Sequence, residues 1–212
     1  MSTETVSLST LDGLTLLADV TWADTESSDG NARGFVVIGH PHPLYGGDRW
    51  NNVVRSIREA AAACGCHSIA PDFRGAGESP GEHDGGVAER LDLAAACDFA
   101  HTVEESLPVV MAGYSFGGAV ALDVSLAPVA GWLAVAPPVS MIGHGPVSSR
   151  DHRPVHVLLP RHDQFSAVED MEALLAGWQN TSLTVLEGVD HFIATGAAEQ
   201  CRTAIESILG AG

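Results

Sequence analysis

Basic side chains are scarce in this chain. Ten lysine and arginine residues stand against 27 acidic ones in 212 residues, a formal net charge of −17. Such a surface repels phosphate backbones, so nucleic acid is not an expected partner. It also mildly disfavours strongly anionic substrates, within the ~10 Å that salt screening leaves open. Long apolar runs are missing too. No stretch approaches the ~20 residues needed to cross a bilayer, so no membrane partner is expected. The opening Met1-Ser2-Thr3-Glu4-Thr5 lacks the basic and apolar regions of a secretory signal. Cysteine is sparse: Cys64, Cys66, Cys97 and Cys201, with no Cys-x-x-Cys pair. The expectation is a cytoplasmic protein whose thiols are reduced, mostly buried and not catalytic. No repeat, low-complexity tract or break in composition divides the chain, so one domain over residues 1–212 is expected; nothing in the sequence sets the oligomeric state.

What is present is a globular composition, 45% hydrophobic and 17% charged. Its focus is Val109-Val-Met-Ala-Gly113-Tyr-Ser115-Phe-Gly117-Gly118. An apolar β-branched run ends in Gly-x-Ser-x-Gly, and an apolar helical pattern follows. That is the strand, sharp turn and helix in which a serine hydroxyl is lifted off a sheet edge. Gly113 and Gly117 lie where side chains would collide with the turn, and the Phe116 N–H at the helix start points into the same space.

The remaining pattern alternates strands and helices. Ser7 to Trp22 reads as a hairpin around Asp12-Gly13, and the polar run 23–33 as a loop. Short apolar strands are expected at Phe35–Gly39, His67–Pro71, Gly131–Ala136, Val155–Leu159 and Leu183–Leu186. Helical spacing marks a segment capped by Asp48 and burying Val53, Ile57 and Cys64. A second buries Val87, Leu91 and Phe99, and a third runs from Phe116 to about Leu126. A fourth, capped by Ser166-x-x-Glu169, buries Val168, Met171, Leu175 and Trp178; the last buries Ala198, Cys201, Ile205 and Ile208. The expected fold is α/β, a mostly parallel twisted sheet with helices on both faces after a short antiparallel start.

A serine hydroxyl needs a base to take its proton and a carboxylate to orient that base. In an open α/β sheet such partners come from loops at the carboxyl ends of strands. The last strand delivers His191, and the one before it delivers Asp163. Asp190 adjoins His191, but neighbouring side chains in an extended segment point apart, which favours Asp163. For the oxyanion, Phe116 N–H is one donor. The second comes from His40-Pro-His42-Pro-Leu44-Tyr45-Gly-Gly47, where the prolines have no N–H. His42 is the favoured donor and Leu44 the alternative. The same loop has a rival reading as a metal site, but the ten histidines are scattered and no ligand-spaced cluster is visible, so neither metal nor cofactor is expected.

Three blocks together resemble the α/β-hydrolase superfamily: Gly113-Tyr-Ser115-Phe-Gly117, Asp72-Phe-Arg74-Gly75-Ala-Gly77-Glu-Ser79, and Gly188-Val-Asp-His191-Phe192. The chain order Ser, Asp, His is also that of the family. The His-Pro-His-Pro loop is similar to that of a small, lid-poor, dienelactone-hydrolase-like branch. Serine at 115 departs from the cysteine of dienelactone hydrolases themselves and from the aspartate of haloalkane dehalogenases. Pro160-Arg-His-Asp163 departs from the family's more usual glycine before the acid. The resemblance implies a loop-bracing role for Arg74 and Ser79. The interval Val139 to Arg153 is too short for a helical lid, so an open cleft is expected. Trp50, Tyr45, Tyr114, Phe116, Met141, Ile142, Phe165 and Phe192 could line it, with Tyr45 and Met141 favoured by their place in loops at the expected edge. The expected function is a serine hydrolase of small-molecule esters or thioesters. The alternatives are an acyltransferase, perhydrolase or C–C hydrolase with the same three residues, or a binding protein that kept the fold.

Overall fold

The computed structural model describes residues 2–24, 31–194 and 197–210. Its sheet has eight strands: β1 (Ser2–Ser9), β2 (Thr15–Trp22), β3 (Phe35–Gly39), β4 (His67–Pro71), β5 (Val109–Tyr114), β6 (Val129–Val135), β7 (Val155–His162) and β8 (Thr181–Asp190). They lie in the order β1-β2-β4-β3-β5-β6-β7-β8. β1 and β2 form the antiparallel start, β2 also runs antiparallel to β4, and every later pairing is parallel. β3 and β5 are buried along their whole length, which is why they read as continuous apolar runs.

Helices cover both faces. α1 (Asn52–Ala63) and α6 (Ala198–Gly210) pack on one through Val53, Ile57, Cys201 and Ile205. α2 (Glu89–Val103), α3 (Phe116–Leu122) and α5 (Val168–Leu175) cover the other through Leu93, Ala96, Val120, Met171 and Leu175, and the short α4 (Val139–Ile142) follows β6. The chain passes from β3 out to β4 and then returns to β5 on the other side of β3. The sheet therefore changes direction at the paired ends Gly39 and Gly113, where a ligand crevice forms in open α/β sheets.

Several boundaries differ from expectation. β1 begins at Ser2, since its outer face pairs side chain to side chain with β2, as in Thr5 Oγ1 donating to Asp19 Oδ1. Asp48 does not cap α1; its Oδ1 accepts from Trp50 N–H in a tight turn, and Asn51 caps Val53 instead. α3 stops at Leu122. Ser166 does not cap α5 either: its hydroxyl donates to Pro137 O and accepts from Val139 N–H, tying the β7 loop to the β6 loop. On α2 the buried face is rotated from the expected one. Val87 is exposed and precedes the helix, while Glu89 and Asp92 are buried. β7 and β8 are longer than expected, reaching His162 and Asp190. Of the polar run 23–33, residues 25–30 lie outside the described residues. No described helix is long and apolar enough to cross a membrane.

Candidate active site

β5 ends at Tyr114, and the chain turns directly into α3 through Ser115, whose φ is 53°. A non-glycine residue there is strained. The turn is held by Ser115 N–H donating to Val135 O and by Ala119 N–H donating to Ser115 O, at 2.8 and 3.0 Å. The flanking glycines are steric necessities. A Cβ on Gly113 would lie 2.3 Å from Gly117 O, and one on Gly117 would lie 2.3 Å from the Gly39 carbonyl.

The ends of β7 and β8, beyond β6 in the sheet, bring the partners. Ser115 Oγ lies 2.9 Å from His191 Nε2, and His191 Nδ1 lies 2.7 Å from Asp163 Oδ2. A carboxylate can only accept, so Nδ1 carries the proton and Nε2 is left to accept from the serine hydroxyl. Asp163 is fixed in turn: its Oδ1 accepts from the N–H groups of Phe165 and Ser166 at 2.8 and 3.0 Å. His191 is clamped at its backbone, with N–H donating to Gln164 Oε1 and carbonyl accepting from the Tyr114 hydroxyl. The Phe165 ring meets its imidazole edge-on at 4.5 Å. The side chains of His191 and Asp163 are both buried. Asp190, the adjacent carboxylate, is occupied elsewhere by Phe192 N–H and Gln164.

The Pro/Gly loop after β3 folds into a 3₁₀ turn over Pro43–Tyr45, its start closed by His42 O accepting from Tyr45 and Gly47 N–H. Leu44 is not available as an oxyanion donor. Its N–H donates to His42 Nδ1 at 3.3 Å, and its side chain points to solvent away from the cleft. That bond needs an unprotonated Nδ1. Burial, followed by the neighbouring His83, holds the His42 imidazole below its usual range, in keeping with the neutral ring. Among the described residues no backbone carbonyl accepts from the N–H of His42 or Phe116. Phe116 is the first residue of α3, where no intrahelical acceptor exists.

His40 has a different task. Its ring is buried, with Nδ1 against Pro41 O at 2.6 Å and Nε2 accepting from Phe73 N–H at 2.9 Å. Both nitrogens are committed to backbone, which leaves none for a metal. Burial pushes this imidazole down to about 4. The Asp72–Ser79 loop is likewise a brace. Buried Asp72 accepts from both the backbone and the guanidinium of Arg49. Arg74 bridges Asp92 and Asp12, and Ser79 Oγ donates to Asp72 O while accepting from Leu17 N–H.

Ser115 opens into a cleft of about 660 Å³. Tyr45, Tyr114, Phe116, Met141, Phe165 and Phe192 line it beside His42 and His191. Trp50 and Ile142 do not. Trp50 lies outside under the Arg49 guanidinium, 4.0 Å from its ring centroid, and Ile142 is core. Asn51, Pro138 and Ser140 also line the cleft and carry no local sequence signal. No arginine reaches it.

Residues 35–166 match the α/β-hydrolase family. The chain is 29% identical, over 164 residues, to an uncharacterised protein of Rickettsia prowazekii; the match spans 72% of this chain and 69% of that one. Its fold is similar to that of an α/β serine hydrolase homologue from Coxiella burnetii, with a TM-score of 0.85 at 26% identity over 98% of both chains. It is also similar in fold to a serine hydrolase without lid from Xanthomonas campestris, with a TM-score of 0.82 at 22% identity over 100% of this chain and 95% of that one. With its eight-stranded sheet, its strained serine at the end of β5 and this family match, the chain belongs to the α/β-hydrolase family.

Proposed function

We propose that this hydrolase cleaves carboxylic esters or thioesters of small acyl groups through an acyl-enzyme on Ser115, and that it stands in a small lid-poor branch marked by the His-Pro-His-Pro loop. The observation that carries this reading is the unbroken hydrogen-bond chain from Ser115 Oγ through both nitrogens of His191 to Asp163, in a cleft also lined by His42 and Phe116, whose N–H groups have no backbone acceptor among the described residues. Ser115 Oγ attacks the carbonyl carbon while its proton passes to His191 Nε2. The carbonyl π electrons move to oxygen, which the N–H groups of His42 and Phe116 hold. The oxygen re-forms the double bond, the bond to the alcohol or thiol breaks, and His191 returns the proton to that leaving group. Water, deprotonated by His191, then attacks the acyl-enzyme; the bond to Ser115 Oγ breaks, His191 returns the proton to that oxygen, and the carboxylic acid is released. Asp163 keeps the proton on Nδ1 and stabilises the imidazolium.

The open, aromatic cleft suits a small acyl group. The test is fluorophosphonate labelling with a panel of nitrophenyl esters of graded chain length and acyl-CoA thioesters. The expected result is a single adduct on Ser115 and turnover that varies with acyl length. A folded protein with no adduct and no turnover of any member would overturn the proposal.

A further inference from the structure

The loop from β4 to α2 sets one ring against both proposed oxyanion donors. His83 lies 4.4 Å from the His42 ring and 5.1 Å from Phe116, while His42 and Phe116 are themselves 5.0 Å apart. The three rings close a triangle. His83 is not part of the cleft wall; its ring packs against the rings of two residues that are, His42 and Phe116. The loop that carries it is anchored. Glu89, with no exposed surface, accepts from Asp84 N–H and Gly86 N–H at 2.8 Å each; its Oε1 also lies 2.7 Å from His83 Nδ1, without the alignment of a hydrogen bond. Gly86, at a φ of 98°, brings that loop against the Phe116 ring and Met141, which a Cβ there would meet in ordinary contact at 3.6 and 3.7 Å. A carboxylate removed from water is costly unless its oxygens are satisfied. Here its donors come from the loop that carries His83, so satisfying Glu89 seats the ring.

We infer that His83, seated by Glu89, is a positioning residue that holds His42 and Phe116 so that their N–H groups converge on one oxygen. This rests on the oxyanion roles proposed above. Without the flat ring the two side chains lose a packing neighbour that both share. The His42 loop, tied to the body through His40 and its 3₁₀ turn, is then free to swing its N–H away from that of Phe116. An oxyanion donor acts mainly in the transition state, so the loss falls on turnover and not on substrate binding.

The experiment compares wild type with His83→Ala, His83→Phe and Glu89→Gln. It measures kcat and KM on one neutral nitrophenyl ester and the affinity for two ketones of matched chain length. The trifluoromethyl ketone adds Ser115 and carries an oxyanion; the methyl ketone stays largely trigonal. His83→Ala is expected to lower kcat roughly 10- to 100-fold, part of what removing a donor outright costs, with KM within about twofold. Trifluoromethyl ketone affinity should fall by a similar factor, and methyl ketone affinity should hold. His83→Phe, which keeps the flat face, should regain most of the loss, and Glu89→Gln should fall between. If His83→Ala does not fold, His83→Leu, which fills the space without a flat face, replaces it. Wild-type kcat and ketone affinity in the Ala or Leu variant would overturn the inference. So would a parallel loss of kcat, KM and both ketone affinities that Phe does not restore, since that is a merely structural effect. A wild-type protein that forms no Ser115 adduct would instead bring down the proposed function, and this inference with it.

Discussion

Gly117 in α3 packs directly on the carbonyl of Gly39 at the end of β3: a methyl group on Gly117 would sit 2.3 Å from that carbonyl and 2.5 Å from His40 O. The contact couples the serine turn to the start of the loop that carries His42. β3 is a buried central strand, so the backbone it presents cannot retreat. Gly117→Ala is therefore expected to destabilise the protein by at least the ~1–3 kcal/mol of an overpacked core site, and to abolish fluorophosphonate labelling in whatever folds. Gly46→Ala is the control. It adds a methyl where nothing lies within 4 Å and strains only a left-handed residue, a loss of about 1 kcal/mol. Urea unfolding of the two variants separates a steric clash from local strain.

The two candidate carboxylates can be told apart by activity. Asp163 holds the ring nitrogen of His191, whereas Asp190 caps Phe192 and meets Gln164. Asp163→Asn should lower kcat by about 10⁴, because an amide can stabilise the wrong tautomer and cannot balance the imidazolium. Asp190→Asn should stay within about tenfold of wild type. Ser115→Ala should lose ~10⁴- to 10⁶-fold. Equal losses at 163 and 190 would refute the assignment.

Substrate charge should matter more than substrate size. All ten basic residues are arginines. Arg49, Arg55, Arg58, Arg74, Arg90, Arg153, Arg161 and Arg202 lie within 4.0 Å of carboxylates, and none of the ten lines the cleft. Against a net charge of −17, a leaving group bearing phosphates or a carboxylate finds no counter-ion. The same acyl group should be cleaved from a neutral alcohol at roughly ten times the kcat/KM seen with an anionic one. The gap should narrow from about 10 mM to about 1 M salt, as the screening length falls from ~30 to ~3 Å. Tyr45→Arg places a cation on the exposed rim and should narrow it without salt.

Stability should fall in mild acid through His40. Burial lowers its folded-state value from 6.5 to about 4, so the unfolded chain binds the proton first. The stabilisation is complete above pH 6.5 and is lost as pH falls from there towards 4, with a ceiling on the order of 3 kcal/mol. Unfolding free energy measured in urea at pH 7.5 and pH 5 should show the decline. His40→Gln should be less stable at both values yet show a flatter dependence between them; an unchanged slope would assign the decline to other groups.

Much of this protein is legible in its sequence because the signals are local. Gly-x-Ser-x-Gly after a β-branched run fixes a strand, a turn and a helix within ten residues, and continuous apolar runs announce β3 and β5 as strands buried on both faces. His191 and Asp163 could be named because each follows a strand, and strand ends in a parallel sheet share an edge. What failed was whatever depended on a partner remote in the chain or on the exact path of a loop. Glu89 and Asp92 look like the outer face of α2 until Arg74 and the 83–86 loop are found against them. Ser166 resembles a helix cap until Pro137 and Val139 claim its hydroxyl. Leu44 is a plausible donor until the turn folds its N–H onto His42. The amino-acid order alone thus determined the fold class and the three side chains that meet at the sheet edge, since spacing along a strand or helix dictates which way a residue faces. Only the tertiary structure decided which N–H groups stay unpaired, which charges are buried and which ring packs against both His42 and Phe116, because those follow from contacts between segments that no local pattern encodes.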